Sequence, residues 1–346
     1  MSGTDGRDLA ALPKGHLHLH LEAAMRPETL AELAAEHGVP VPEIGEYGDF
    51  SAFNATYEAA TGVLRREQDM RRLLRELVED ARADGAWYVE PALYAPAHRE
   101  RFGSDEEVVE LVIDGLRVAG AELGVGVGLM IAGDRMFEPA ECEAQARVAA
   151  RHAGEGVVSF GLASDERGQP PEPFAEAFRI ARAAGLISAP HAGELAGRES
   201  IEGALEALGA DRVQHGVRAI EHPDLVRELA ERGTCLDVCP TSNAALGVYP
   251  RAAEHPLPDL LAAGVRCSLN ADDPLLFGCG LLEEYELCRT EMALDDADLA
   301  AIAAVSLEAS GAPSELVGRG LAAIREWRAG GAVPAHTSDP AGGGPL

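Results

Sequence analysis

Near its N-terminus the chain reads Gly15-His16-Leu17-His18-Leu19-His20-Leu21-Glu22, in which three histidines alternate with leucines. Every second side chain of a β-strand lies on the same face, so the pattern predicts a buried strand with its imidazoles on one side. Burying three imidazoles is costly unless a partner satisfies them, and a divalent metal ion does so. A solvated histidine-rich tract is the alternative, but such tracts usually lie in polar sequence. We therefore predict that this strand ends in a metal site.

Seven further apolar runs follow, and segments rich in Ala, Leu and Glu with helical spacing separate them. The eight predicted strands are Leu12–Leu21, Trp87–Tyr94, Val125–Ala132, Val157–Ala163, Ile187–His191, Arg212–His215, Cys235–Cys239 and Arg266–Asn270. Strands that alternate with helices pair in parallel, and eight such units close a (β/α)8 barrel of the TIM type, the α/β fold that we predict. An open doubly wound sheet is the alternative, although no Gly-x-Gly-x-x-Gly turn follows the first strand.

The segment from Pro27 to Gly85 is too long for a single crossover, and we predict a helical insertion there that caps the barrel mouth. Extra helices are predicted after the eighth strand, at Leu281–Met292, Asp295–Glu308 and Pro313–Arg328. The predicted organisation is a flexible N-terminus (1–10), a single barrel domain (11–328) and a disordered tail (329–346) rich in Gly and Pro.

The formal net charge of -29 at pH 7 argues against nucleic acid and anionic membranes as partners, because both need clustered Lys and Arg. The first ten residues lack an apolar signal core, and no apolar run is long enough to cross a membrane. The six cysteines show no Cys-x-x-Cys spacing, which favours reduced thiols. We expect a soluble, cytoplasmic protein, whose oligomeric state the sequence leaves open.

Unusual polar residues fall at the carboxyl ends of six predicted strands, where the active sites of barrel enzymes lie. These residues are His18, His20 and Glu22, then Ser164-Asp165-Glu166, His191-Ala192-Gly193-Glu194, Gln214-His215-Gly216, Cys239-Pro240-Thr241-Ser242-Asn243 and Asn270-Ala271-Asp272-Asp273-Pro274. A single such residue is weak evidence, since a lone histidine is usually a satisfied core residue. Agreement among six strand ends predicts a functional site.

Zinc takes imidazole and carboxylate ligands, and the strand ends offer His18, His20, His191 and Asp272. Spacing alone does not decide which of the first three histidines bind; we prefer the two nearest the rim and expect His16 to lie in the core. Glu194 lies three residues beyond His191, where it could act as a general acid or base without binding the metal. His215 could hold a metal-activated water in line, or it could be a buried histidine paired with a backbone carbonyl.

Lys14 is the only lysine of the chain, and it precedes the first strand. A binuclear site bridged by a carboxylated lysine on a middle strand is therefore disfavoured, and we predict a single metal ion per chain. The same scarcity excludes Schiff-base and pyridoxal phosphate chemistry. No Gly-x-Ser-x-Gly motif for a nucleophilic serine is present.

Taken together, these motifs resemble the adenosine deaminase family of metal-dependent aminohydrolases. The order, spacing and residue types agree from Pro13-Lys14 through the strand-end motifs to Asp272-Asp273-Pro274. The resemblance implies a zinc ion held by His18, His20, His191 and Asp272. It also implies that activated water attacks carbon 6 of an adenine ring.

Further roles are implied only by this resemblance. Glu194 would protonate ring nitrogen 1, His215 would orient the water, and Asp273 would bind ring nitrogen 7. Glu22 stands where an acidic residue reaches toward the ribose in nucleoside-specific members. Ser164 replaces a glycine whose backbone amide contacts ring nitrogen 3.

The departures from the family pattern put the sugar of the substrate in doubt. Ala23 and Ser164 stand where glycines are usual, and Glu90 lies on a strand where an arginine is common. A glutamate at position 22 and a serine at 164 also resemble the adenine-deaminase branch. The leading hypothesis is deamination of adenosine or 2′-deoxyadenosine, and the alternative substrates are adenine and a modified nucleoside such as aminodeoxyfutalosine. A non-deaminase metallohydrolase and a catalytically silent binding barrel are less favoured, because the four ligands and Glu194 are all present.

Overall fold

The computed structural model describes residues 6–45, 47 and 50–331. The first five residues of the predicted flexible N-terminus, and the predicted disordered tail from residue 332 on, lie outside this part of the chain. Leu9 is buried in the core, and the indole nitrogen of Trp327 donates a hydrogen bond to the carbonyl oxygen of Asp8 over 2.8 Å. The described end of the N-terminal segment therefore packs against the last helix.

The described residues form short parallel strands that run in chain order around the fold. They are β1 Lys14–His16, β2 Ala86–Val89, β3 Ala92–Leu93, β4 Gly126–Val127, β5 Leu129–Asp134, β6 Val157–Ala163, β7 Ile187–Ser188, β8 His191–Ala192, β9 Arg212–His215, β10 Cys235–Val238 and β11 Arg266–Leu269. They pair as β1-β2-β4, as β3-β5-β6-β7 and as β8-β9-β10-β11. Three predicted strands are each divided in two, and Pro91 and Pro190, which lack a backbone N–H, lie at two of the divisions.

Backbone hydrogen bonds join the three groups of strands. The amide of Ala92 donates to Leu19 over 2.8 Å, and the amide of Asp272 donates to His18 over 3.1 Å, so the chain after β1 lies between β3 and the end of β11. Pro190 links β7 to β8, and its carbonyl accepts from Gln214 over 3.0 Å. The arrangement confirms the predicted (β/α)8 fold of the TIM type.

The first strand is shorter than the predicted Leu12–Leu21. The side chain of Asn270 accepts the amide hydrogens of Leu17 and His18 over 2.7 and 3.0 Å, so these amides do not donate to a strand partner. The ladder is interrupted just where the chain approaches the predicted metal ligands His18 and His20.

Helices cover the outside of the strands and cap one end. They are α1 Pro27–His37, α2 Phe50–Thr61, α3 Glu67–Ala83, α4 Arg99–Phe102, α5 Asp105–Leu123, α6 Pro139–Arg151, α7 Ala175–Ala183, α8 Arg198–Glu206, α9 Pro223–Arg232, α10 Pro240–Ala245, α11 Leu257–Ala262, α12 Pro274–Phe277, α13 Leu281–Glu291, α14 Asp296–Glu308 and α15 Ser314–Ala329. The insertion after the first strand contains α1 to α3, and α13 to α15 are the extra C-terminal helices, as predicted. No described helix combines the length and apolar character needed to cross a membrane.

A buried ionic group occupies the interior of the barrel below the site. The guanidinium of Arg212 contacts Oε1 of Glu90 over 2.5 Å and Oδ2 of Asp237 over 3.2 Å. The hydroxyl groups of Ser159 and Ser268 donate to Glu90 and Asp237, respectively. A buried arginine held by two carboxylates and further hydrogen bonds is the arrangement in which a buried ion pair persists.

Candidate metal centre and active site

A cavity of about 750 Å³ opens at the carboxyl ends of the strands. Eight of the nine predicted site residues line it: His20, Glu22, Ser164, His191, Glu194, His215, Asp272 and Asp273. The ninth, His18, is fully buried. The structure therefore brings all of the predicted site residues to one rim of the barrel, where parallel strands collect their functional side chains.

Two histidines face each other with unprotonated nitrogens. Nε2 of His18 lies 3.1 Å from Nε2 of His191 and 3.0 Å from Oδ1 of Asp272. The opposite ring nitrogens donate to backbone carbonyls, from His18 to Asp237 over 3.2 Å and from His191 to Leu162 over 3.1 Å. A carbonyl only accepts, so the proton is on Nδ1 in both rings and both Nε2 atoms carry lone pairs. The two nitrogen lone pairs converge with Oδ1 of Asp272, which has no hydrogen-bond donor among the described residues. This arrangement of donor atoms is suited to binding a cation.

The two oxygens of Asp272 face different histidines. Oδ1 lies 3.0 Å from Nε2 of His18 and 3.3 Å from Nε2 of His20. Oδ2 accepts the hydroxyl hydrogen of Ser242 over 2.6 Å and lies 3.7 Å from Nε2 of His215. A group of potential metal ligands therefore surrounds Oδ1, while His215 faces the other side of the carboxylate.

A chain of hydrogen bonds fixes the protons of His215. The amide of Leu257 donates to Nδ1 of His255 over 3.2 Å, so Nε2 of His255 carries the proton and donates to Oδ1 of Asn243 over 3.2 Å. The amide nitrogen of Asn243 then donates to Nδ1 of His215 over 3.1 Å and to Oε1 of Glu194 over 3.0 Å. In this arrangement His215 carries its proton on Nε2, which lies 3.5 Å from Oε1 of Glu194.

Glu194 lies in surroundings that favour its protonated form. Burial raises the pKa of its carboxyl group well above the ordinary value, and the nearby Asp272, Glu166 and Asp273 raise it further. The carboxylate of Glu166 holds the segment 193–195 in place by accepting its three backbone amides over 2.8, 2.9 and 3.1 Å. A buried, rigidly held and protonated carboxyl group can act as a general acid.

Three residues at strand ends adopt the left-handed backbone conformation that favours glycine. The φ angles are 76° at Ser164, 65° at His215 and 60° at Asp272. Non-glycine residues pay a free-energy cost for this conformation, and such residues concentrate at functional sites. Glycine adopts the positive φ angle found at Ser164 without strain, which is consistent with glycine being usual at that position in the family that the sequence resembles.

The carboxylate of Glu22 is held on both oxygens. Nε2 of His98 lies 2.6 Å from Oε1, and the hydroxyl of Tyr57 donates to Oε2 over 2.5 Å. Burial opposes the charge of Glu22, but these two partners outweigh it and hold its pKa below the ordinary value. Tyr57 belongs to α2, so this contact ties the cap to the rim of the barrel.

The comparison with known proteins agrees with this geometry, since a sequence model of the family described as adenosine deaminase matches residues 13–322. The chain belongs to the adenosine deaminase family. It is accordingly a metal-dependent aminohydrolase with deaminase relatives. Metal dependence fits the converging ligands around Asp272.

Relatives of the adenosine deaminase family cover nearly the whole chain. A putative adenosine/adenine deaminase from Streptomyces coelicolor is 42% identical over 340 residues, which are 93% of this chain and 98% of that protein. An adenine deaminase from Chelativorans sp. is 39% identical over 305 residues, which are 86% and 94% of the two chains.

Solved structures of related proteins have the same fold. The adenine deaminase of Arthrobacter aurescens superimposes with a TM-score of 0.86 at 31% identity, covering 92% of this chain and 99% of that one. A Burkholderia ambifaria amidohydrolase with bound Zn has a TM-score of 0.83 at 28% identity, covering 93% and 92%.

The sequence patterns did not identify every residue that supports the site. Asn243 and Glu166 stand in the strand-end motifs, and that position was the available signal for a role. Tyr57 and His255 lie away from any predicted strand end, and His98 lies four residues beyond the predicted strand Trp87–Tyr94, in a segment that was not among the strand-end motifs. Only the folded chain brings these three side chains to the site.

Proposed function

We propose that the chain is a zinc-dependent adenine deaminase that hydrolyses adenine to hypoxanthine and ammonia. The observation that carries the choice of the free base is that each carboxylate oxygen of Glu22 is already held, one by His98 and the other by Tyr57. In nucleoside-specific members the acidic residue at this position reaches toward the ribose. Here both of its oxygens already have short hydrogen-bond partners, and its side chain is almost completely buried.

The proposed zinc ligands are His18, His20, His191 and Asp272, with one ion per chain. The Nε2 lone pairs of His18 and His191 and the Oδ1 atom of Asp272 support this set, and His20 shares that oxygen with His18. A zinc ion bound there would act as a Lewis acid that lowers the pKa of a water molecule.

Three side chains would handle the purine and the water. Glu194 would deliver a proton to ring nitrogen 1, which makes carbon 6 more electrophilic. His215 would donate from Nε2 to the attacking water and hold it in line, which the hydrogen bond from Asn243 supports. Burial and the neighbouring Asp272 raise the pKa of Asp273 well above its ordinary value, so its protonated carboxyl group would donate to ring nitrogen 7. Its Oδ1 is buried and has no hydrogen-bond partner within the described ranges. Ammonia would leave carbon 6 and the 6-oxo purine would remain.

Adenosine is the second candidate, as the family motifs first indicated. A cavity of about 750 Å³ has room for more than a free base. The Streptomyces coelicolor relative is named as an adenosine/adenine deaminase, and the Chelativorans and Arthrobacter relatives as adenine deaminases.

A substrate panel tests the proposal directly. The zinc-loaded enzyme is assayed for loss of the adenine absorbance band with adenine, adenosine, 2′-deoxyadenosine and 5′-modified adenosines such as aminodeoxyfutalosine. We expect the highest kcat/KM with adenine. A higher value with any nucleoside would show that the free base is not the preferred substrate.

The variant Tyr57→Phe tests the role of the Glu22 contact. Removing the hydroxyl leaves Oε2 of Glu22 without its donor. We therefore expect the kcat/KM for adenosine to rise relative to the kcat/KM for adenine. The matched control is Tyr94→Phe, which removes a hydroxyl from another tyrosine of the same cavity without a contact to Glu22. An unchanged ratio of kcat/KM for adenosine and adenine in Tyr57→Phe would show that the contact between Tyr57 and Glu22 does not set the substrate preference.

A further inference from the structure

Asp134 and Ser164 form a polar pair on the wall of the active-site cavity. Asp134 is the last residue of β5, Ser164 follows the neighbouring strand β6, and both line the cavity. The carboxylate of Asp134 accepts the amide hydrogen of Met136 over 2.9 Å, and the side chain of Ser164 lies nearby, where it opposes the rise in the pKa of Asp134. Asp134 is half-buried, and burial raises the pKa of its carboxyl group. An ionised carboxylate offers about four acceptor positions, so the contact with Met136 leaves capacity for another donor.

The roles proposed above leave ring nitrogen 9 without a partner, since the family resemblance implies a contact from the backbone amide of Ser164 to ring nitrogen 3. Carbon 6 faces the water, and nitrogens 1 and 7 face Glu194 and Asp273. The remaining edge contains nitrogens 3 and 9, which are both bonded to carbon 4 and lie away from carbon 6. In free adenine, with nitrogen 7 as an acceptor, nitrogen 9 carries a hydrogen and needs an acceptor. In a nucleoside the sugar replaces that hydrogen.

We propose that Asp134, which lines the cavity beside Ser164, is a specificity-determining residue that accepts the imidazole N–H of free adenine. This inference rests on the proposed function, because it concerns the same cavity and the same orientation of the ring. It goes further in that it explains how a cavity large enough for a nucleoside prefers the base. The preference comes from a hydrogen bond that only the base can donate.

The expected selectivity follows from the cost of an unpaired acceptor. When a ligand without the N–H enters, the half-buried carboxylate loses water and gains no donor in return. A site built around a hydrogen bond discriminates strongly against analogues that cannot form it. We expect adenine to exceed 9-methyladenine in kcat/KM by about 10- to 100-fold. This analogue lacks the N–H but adds only a methyl group, so it separates the hydrogen bond from the bulk of a sugar.

The test compares adenine with 9-methyladenine in wild type and in Asp134→Ala. We expect the variant to lose at least about 10-fold in kcat/KM on adenine, with little change on 9-methyladenine, so that the preference collapses. Glu58→Gln is the matched control, since Glu58 lies on the outer wall of the same cavity and hydrogen-bonds Asn54. The preference should persist in this control. Zinc content and circular dichroism establish that each variant is folded.

The outcomes separate this inference from the proposed function. If wild type prefers a nucleoside to adenine, the proposed function fails. If wild type prefers adenine and Asp134→Ala retains its preference over 9-methyladenine, only the role of Asp134 is overturned. Should Asp134→Ala fail to fold, Asp134→Leu replaces it, because it has a similar size and no hydrogen-bond acceptor. A smaller preference in that variant supports the inference, and an unchanged preference overturns it.

Discussion

The side-chain amide nitrogen of Asn243 lies 3.1 Å from Nδ1 of His215, and the direction of this hydrogen bond settles the protonation of the ring. Because the amide nitrogen can only donate, Nδ1 of His215 accepts and Nε2 carries the hydrogen. A ring nitrogen that carries a hydrogen is not a metal ligand. We therefore propose that His215 is not a metal ligand, although its Nε2 lies 3.7 Å from Oδ2 of Asp272 and near the ligand atoms of His18 and His191.

Zinc content distinguishes His20 from His215. We expect His20→Ala to lower the zinc bound per chain severely, because it removes a proposed ligand that shares Oδ1 of Asp272 with His18. We expect His215→Ala to retain stoichiometric zinc and to lose activity by orders of magnitude. Elemental analysis after dialysis measures both, with the partly exposed His222 replaced by alanine as the control. Retention of zinc by His20→Ala with its loss from His215→Ala would reverse the assignment.

Glu194→Gln tests the proton donor. The amide keeps the size of the side chain and the hydrogen bond with Asn243, but it cannot release a proton to the purine. We expect kcat to fall by at least about 100-fold, the lower range for general acid catalysis, while zinc content and thermal stability stay near wild type. Glu166→Gln would be an unsuitable control, since that side chain holds the segment 193–195. Glu138→Gln, an exposed position on the cavity wall, serves instead. Wild-type turnover in Glu194→Gln would eliminate this residue as the donor.

His255 should act through Asn243 rather than on the substrate. Replacing it by alanine leaves Oδ1 of Asn243 without its donor, so the amide can rotate and His215 loses its fixed tautomer. We expect a fall in kcat of about 10-fold or more, with zinc content and KM little changed. His255→Gln can still donate to Asn243, and it should restore part of the lost turnover. Equal rates in wild type and His255→Ala would show that the chain of hydrogen bonds does not control His215.

The alternation of His and Leu at 16–21 and the strand-end motifs were sufficient to predict the barrel and its rim. Parallel strands carry their carboxyl ends to one side, so residues far apart in sequence, such as His18 and Asp272, meet without further information. Local sequence patterns also predicted the bounds of helices closely. Helix α13 spans Leu281–Glu291, one residue shorter than the predicted Leu281–Met292, and a capping box of Ser104 and Glu107 begins helix α5.

Contacts that depend on particular side-chain positions could not be predicted in this way. The early end of the first strand results from the side chain of Asn270, which replaces a backbone partner at Leu17 and His18. Glu90, on a strand where an arginine is common in the family, pairs with Arg212 of another strand. His98, which follows β3, contacts Glu22 at the end of the predicted first strand. None of these pairings leaves a periodic trace in the sequence, because each joins isolated residues through the tertiary fold.

The single lysine gives a prediction about stability and pH. Nζ of Lys14 is buried below the barrel, where it donates to the carbonyls of Leu9 and Asp84 over 2.8 and 2.5 Å and lies 5.3 Å from the ring centre of Tyr285. Burial lowers its pKa from 10.5 to about 7, against the opposing effect of Asp84 and Asp8. In the unfolded chain the pKa returns to its ordinary value.

The sign of the pH dependence follows from proton binding. Between pH 7 and about 10 the unfolded chain keeps the proton of Lys14 and the folded chain has lost it, so the unfolding free energy rises with pH. One proton corresponds to about 1.4 kcal/mol per pH unit. Lys14→Met removes the titrating group, so the wild type should gain stability over the variant as the pH rises from 7 to 9. Below pH 7 both states of the wild type are protonated, and the difference between the two proteins should level off. Denaturant unfolding at pH 6, 7, 8 and 9 measures the difference, with Lys14→Arg as a control that stays charged throughout. A constant difference over this range would mean that Lys14 remains charged in the folded protein.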